Sequence, residues 1–229
     1  CLDQMNPQDT FQILAFSAGN RLVFDKPQPN TPENVAKARD AINALHGGGG
    51  TEMLDAIRQV LEAPKDPARL RIVLFMTDGF IGNESQILAF VKEHLNNSRI
   101  FPLGVGSAPN RYLLEELAVM GKGSVQYVRQ DEKQAKLEKV ISGFYDRIAK
   151  PYLTDLSVDW NGLKVLDPAP LYVPDLFAGQ PVFLHARYEA PGKATVTLRG
   201  KLNGKAWSMP VEVDLPDKAP QHKPMGPLW

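Results

Sequence analysis

Short apolar runs alternate with helix-period patterns from residue 10 to about 150, and this alternation is the strongest constraint on the fold. Such a pattern calls for βα units around a largely parallel sheet. Residues 71–76 are apolar at successive positions, as a central strand covered by helices on both faces should be. Residues 11–16 and 21–24 read as two strands joined by the hairpin-type turn Ser17-Ala-Gly-Asn20. Thr31 followed by Pro32 and Glu33 is a helix start, and Val35, Ala38, Ile42 and Leu45 form its apolar stripe. A helix is expected to start at Thr51, and others over residues 84–95, 111–120 and 131–149. Strands are expected at 100–105 and 125–128. The last helix should turn Leu137, Val140, Ile141, Phe144, Tyr145 and Ile148 inward. Its charged run from Asp131 to Lys139 is a solvated face with partners such as Glu132 and Lys136.

Lys150-Pro151 ends this regime, because the residue before a proline is steered away from helical geometry. Beyond it residues 153–160, 182–188, 194–202 and 207–213 alternate apolar and polar, separated by Gly and Pro turns such as Asn161-Gly162 and Asn203-Gly204. The expected architecture is therefore a three-layer, doubly wound α/β domain over residues 1–150 and a small β-rich, sandwich-like domain over 151–229. Trp160, Leu166, Phe177, Phe183, Val196, Leu198 and Trp207 are the expected core of the second domain. An ordered loop is expected over 174–181, because Leu176 and Phe177 are too apolar to leave in water.

Composition narrows the function. Lys plus Arg and Asp plus Glu number 26 each, so no electrostatic footprint for nucleic acid or an anionic membrane exists. No apolar run approaches the roughly 18 residues of a membrane span. The one cysteine, Cys1, excludes an internal disulfide framework and a cysteine-based zinc cluster.

Two loops carry chemistry. Thr77-Asp78-Gly79 ends a buried strand, and ligands of open α/β sheets bind at the carboxyl ends of strands. Gly47 to Gly50 lead into Thr51, whose hydroxyl opens the next helix. A hydroxyl and a carboxylate converging at one sheet edge form a hard oxygen site suited to Mg²⁺ or Mn²⁺. The glycines are not a nucleotide loop: they follow a helix, and no Lys precedes Thr51. Ala15-Phe-Ser17-Ala-Gly19 is not a nucleophile elbow, since a hairpin strand follows Ser17 where a helix is required. His46, His94, His185 and His222 share no metal-ligand spacing and are read as surface residues.

Strand–Thr-Asp-Gly, with Gly-Gly-Gly-Thr upstream, resembles the second and third motifs of the metal-ion-dependent adhesion site in von Willebrand factor A domains. Residues 153–160 and 174–181 resemble the segment that follows that domain in inter-alpha-trypsin inhibitor heavy chains and in bacterial surface proteins of the same layout. The resemblance implies that Thr51 and Asp78 are metal ligands, with side-chain oxygens within about 8 Å of one another and water between. It implies Mg²⁺ or Mn²⁺ in the intact protein and a protein ligand whose acidic residue completes the coordination. It further implies a secreted or cell-surface location and a role in adhesion without catalysis. A structural spacer with a vestigial metal site is the alternative.

The first motif of that family, Asp-x-Ser-x-Ser, has no counterpart here. The resemblance thus implies a fragment whose first strand and most of whose first helix precede Cys1, with the metal site incomplete and empty. In the family's strand order the missing strand would sit between residues 11–16 and 72–76. Three outcomes are then open: those strands pair directly, a second copy inserts a strand to give a strand-exchanged dimer, or the fragment rearranges. The hydrogen bonds of Ile13 and Val73 distinguish them.

Overall fold

The computed structural model describes residues 2–46, 50, 52–78, 82–129, 134–148, 151–177, 181–202 and 204–217. It divides into two compact units, residues 1–150 and 151–229.

The first unit begins with β1 (Thr10–Phe11), β2 (Leu14–Phe16), β3 (Asn20–Leu22) and β4 (Gln28–Pro29). β1 pairs with β4 and β2 with β3, both antiparallel. The expected single strand over 11–16 is broken at Gln12. Its side-chain oxygen accepts the backbone N–H groups of both Ile13 and Phe24, replacing ladder partners at that point. Helix α1 (Pro32–Asn43) is capped by Thr31, whose hydroxyl accepts the Asn34 N–H. Its stripe is only partly covered: Ala38 is buried, whereas Ile42 and Leu45 are exposed.

Helix α2 (Met53–Glu62), β5 (Arg71–Thr77), α3 (Glu84–His94), β6 (Ser98–Val105), α4 (Arg111–Met120), β7 (Gln126–Val128) and α5 (Gln134–Ile148) follow in α/β alternation. β5, β6 and β7 form a parallel sheet in that order. β6 is buried along nearly its whole length, and its alternating residues meet different helix layers. Ile100 joins Met53, Ile57, Phe75, Ile87, Val91, Leu113 and Leu117 in one core, the layer of α2, α3 and α4. Phe101, on the opposite face, packs edge-on against Phe144 of α5, with ring centroids 6.2 Å apart. Helices therefore cover both faces of the sheet at β6, which is the three-layer α/β arrangement.

β5 departs from the expected central position. Among the described residues it is hydrogen-bonded to β6 alone, so it is an edge strand. Phe75 is buried, but Ile72 and Met76 on the opposite face are 37% and 55% exposed. Val73 pairs with Ile100. The Ile13 carbonyl accepts the Val23 N–H and the Ile13 N–H goes to Gln12. β2 and β5 thus do not close onto each other.

The second unit contains β8 (Pro151–Asp159), β9 (Val165–Ala169), β10 (Leu176–Phe177), β11 (His185–Tyr188), β12 (Gly192–Leu202) and β13 (Lys205–Leu215). One antiparallel sheet runs β10-β8-β12-β13, and β9 pairs with β11. Two of these strands escape a reading based on alternation. β9 contains Pro168, which donates no ladder bond. The β9–β11 register shifts there, with Asp167 at φ 48°, so the proline sits in a bulge. β10 is two residues long, yet it buries Phe177 against β8. The expected core needs two corrections: Phe183 is 69% and Leu166 is 45% exposed. Phe183 precedes β11 outside the ladder, and Leu166 lies in the bulged pairing, so neither follows the alternation assigned to it.

Candidate functional site

The carboxyl edge of the parallel sheet is built from consecutive register pairs. Met76 lies beside Leu103 and Thr77 beside Gly104, after which β5 ends and Asp78 emerges exposed. β6 ends one residue later, and Gly106 turns the chain at φ 95°, a conformation that favours glycine. Its N–H donates to the Val128 carbonyl at 3.0 Å, which ties the turn to β7. A Cβ at Gly106 would lie 3.9 Å from the Asp78 Cβ. The glycine therefore permits the turn, and it lies next to Asp78.

A second segment reaches this edge. The Phe16 and Phe75 rings stack nearly parallel with centroids 5.7 Å apart, which brings the ends of β2 and β5 together. Ser17, just after β2, accepts the Glu52 N–H on its carbonyl at 2.7 Å. The entry to α2 is thus fastened to the end of β2, and the buried Met53 anchors it below. Thr51 and Gly47 to Gly49 lie outside the described residues, as does Gly79.

Asn110, a residue that sequence reasoning missed, ties the first turn of α3 to the first turn of α4. Asn110 is 5% exposed; its side chain accepts the Leu113 N–H and donates to Glu84 Oε1 at 2.7 Å. The signal was present, since an Asn directly before a helix is a preferred N-cap. Ser17 is a turn residue: its N–H bonds the Gly19 carbonyl. His94 is structural as well as part-buried, stacked on Phe90 with Nδ1 on the Phe90 carbonyl.

Among the described residues no three His, Cys, Asp or Glu side chains lie close enough to hold a metal ion. Asp78 brings one hard carboxylate to the edge, so the described donors alone do not make a complete Mg²⁺ or Mn²⁺ site.

This arrangement of strands, helices and edge loops coincides with a sequence match: the family model of the von Willebrand factor type A domain covers residues 1–127. The chain belongs to the von Willebrand factor type A domain family. A von Willebrand factor A domain-containing protein of Dictyostelium discoideum is 29% identical over 221 residues, 93% of this chain and 23% of that protein. Von Willebrand factor A domain-containing protein 5B1 of Mus musculus is 27% identical over 183 residues, 78% of this chain and 15% of its own length. The chain thus spans less than a quarter of these two relatives. Among solved structures, von Willebrand factor type A from Catenulispora acidiphila superposes with a TM-score of 0.63 at 17% identity. That superposition covers 93% of this chain and 58% of the other, and it shows a shared fold.

Proposed function

We propose that the chain is a protein-binding module of a larger secreted or cell-surface protein, and that it engages its ligand at the edge marked by Asp78. Domains of this family are commonly protein-interaction modules. The observation that carries the reading is the exposed Asp78 at the carboxyl end of β5, beside the Gly106 turn, with the entry to α2 fastened to the neighbouring strand end. On the sequence resemblance, we assign the second donor to the Thr51 hydroxyl. An ion bound there would supply positive charge toward an acidic residue of the protein ligand, and the chain's own part is to present oxygens and exclude bulk. Two oxygens do not hold Mg²⁺ against its hydration shell. Tight metal binding is therefore not assigned to residues 1–229 by themselves.

The alignment with the Dictyostelium relative runs through both units, which supports treating them as one recurring layout. The free edge of β5 supports a second proposal: a strand of another copy pairs there, giving a strand-exchanged dimer.

Manganese titration followed by electron paramagnetic resonance tests the site. Weak Mn²⁺ binding that Asp78→Ala abolishes is the expected result. Binding indifferent to Asp78→Ala sinks the metal-edge reading and leaves a structural spacer as the better description.

A further inference from the structure

The first turn of α4 carries an exposed pair that the fold does not use. Arg111 and Tyr112 are both exposed, and Tyr112, at 63%, is the most exposed large apolar side chain among the described residues of the first unit. The Arg111 guanidinium carbon sits 4.2 Å from the centroid of the Tyr127 ring. That ring is itself held from two sides. It lies against β6 where Gly104 has no Cβ, since a Cβ there would come within 2.6 Å of the Tyr127 Cδ1. Its hydroxyl donates to Glu115 Oε1 at 3.1 Å. A guanidinium over an aromatic face is attracted to the ring while its N–H groups stay free at its edges. Among the described residues no carboxylate pairs with Arg111, although Glu115 stands one helical turn along. Nor does the helix benefit: a cation in the first turn opposes the helix dipole, and α4 has no acidic residue there to offset it.

We propose that Arg111 and Tyr112 are the second contact of the ligand-binding edge, taking a carboxylate and an adjoining apolar side chain from an acidic segment of the protein ligand. The proposal rests on the Asp78 edge being the ligand-binding face. The sheet places the pair beside that edge. Thr77 is paired with Gly104 and Gly104 with Tyr127, so the backbones at Asp78 and Tyr127 stand two strand spacings apart, about 10 Å. An extended peptide rises about 3.3 Å per residue, so a ligand with one acidic residue at Asp78 reaches Arg111 with another about three residues on. Arg and Tyr are the residue types enriched among those that carry most of the energy of protein interfaces. The stacked guanidinium has little freedom left to lose on binding, and its fork fits a carboxylate through two parallel hydrogen bonds. One cation set among Asp78, Glu84 and Glu115 suits a segment with one or two carboxylates and disfavours a long polyanion.

The test uses the full chain with ¹⁵N-labelled arginine and two probes, acetyl-Leu-Glu-Leu-Glu-Leu-amide and its glutamine counterpart, in EDTA so that no ion contributes. The Arg111 Nε–H signal, assigned by its loss in Arg111→Gln, is expected to shift saturably with the acidic probe and not with the neutral one. Arg21, also exposed, on β3, should stay in place. Affinity followed on the probe's leucine methyl signals should fall about tenfold in Arg111→Gln, as for a lost charge-assisted hydrogen bond. Tyr112→Ala should weaken it by a smaller factor, and Arg111→Lys, which keeps the charge without the fork, should fall between. Equal shifts of Arg111 and Arg21, or an affinity indifferent to Arg111→Gln, overturn the proposal. Asp78→Ala should leave the probe's affinity in EDTA undiminished; its loss there overturns the proposal by seating the probe on Asp78. Probe binding through Arg111 together with Mn²⁺ binding indifferent to Asp78→Ala upholds the Arg111 contact and removes the metal-edge reading alone. Mn²⁺ binding abolished by Asp78→Ala with no probe shift at Arg111 overturns the contact alone.

Discussion

The side-chain amide of Asn110 donates to Glu84 Oε1 while its oxygen caps the N–H of Leu113, so one buried residue joins the first turns of α3 and α4. The pair therefore fixes the starts of α3 and α4 relative to one another. Asn110→Ala removes an N-cap and strands a part-buried carboxylate, and should destabilise the protein by about 1–3 kcal/mol. Glu84→Gln keeps an acceptor for the amide and should lose less. Urea denaturation of the two variants checks the order, and equal losses would show that the contact between the turns is not what matters.

The βα rhythm was legible because each helix of the first unit carries its own period. Residues 111–120 appear in the sequence with the limits of α4, since Asn110 caps the helix and Gly121 follows it. Strand limits were less legible. The split at Gln12 depends on a side chain reaching Phe24, twelve residues away, and no local pattern encodes that. The coverage of β5 was not legible either: the run Ile72 to Met76 states that the strand is apolar, not which of its faces a neighbour covers. In the second unit, Phe183 and Leu166 look like core residues by alternation and are exposed: Phe183 precedes β11 outside the ladder, and the bulge at Asp167 and Pro168 breaks the regular pairing at Leu166. Of the candidate site, Asp78 was legible as a strand-end carboxylate. Gly106 was not, because its role rests on a parallel register and a positive φ, neither of which a lone Gly-Ser announces.

Two glycines give opposite predictions. A Cβ at Gly123 would lie 2.1 Å from the Ile100 carbonyl oxygen, so Gly123→Ala must push β6 and the chain after α4 apart. A destabilisation of about 1–3 kcal/mol follows from such overpacking against backbone. Gly143 lies within α5, and nothing stands within 4 Å of its Cβ position. Gly143→Ala should stabilise by up to about 1 kcal/mol, because alanine has less backbone freedom to lose in a helix. Thermal unfolding of the two variants should move the midpoint in opposite directions.

Tyr127 predicts the alkaline behaviour of the first unit. Burial, and then its hydrogen bond to Glu115, push the phenol up to about 12 from an ordinary value near 10. Tyr145 is likewise raised to about 12, by burial first and then by Asp9 and Asp146. A group whose folded value is raised binds its proton more tightly in the folded state. Its contribution is complete below pH 10 and is lost as the pH climbs from about 10 to about 12. Stability should therefore fall across that window, and Tyr127→Phe combined with Tyr145→Phe should flatten the fall. The difference in phenolate absorbance between the native protein and the double variant isolates the two folded values; titration of both near 10 would contradict the burial argument.

The exposed face and free edge of β5 predict association. β5 (Arg71–Thr77) pairs with β6 on one side, and among the described residues no strand pairs with residues 72–76 on the other. Ile72 and Met76 add exposed apolar surface to the same strand. Long apolar edges of this kind template pairing with another chain unless a charge or a proline blocks them, and the 71–77 run carries its single charge at its first residue. A dimer built on this edge should therefore respond to charge placed at its middle and far end. Val73→Lys or Met76→Lys should shift sedimentation velocity from dimer to monomer at micromolar protein. Met209→Lys, at a comparably exposed methionine of the second unit, should leave the profile unchanged. If the unmodified chain sediments as a monomer at all concentrations with β5 amides that exchange rapidly, the edge is tolerated as it stands and the strand-exchange proposal is wrong. If it is monomeric with slowly exchanging β5 amides, a segment of the same chain covers the edge, and the proposal fails in favour of that segment.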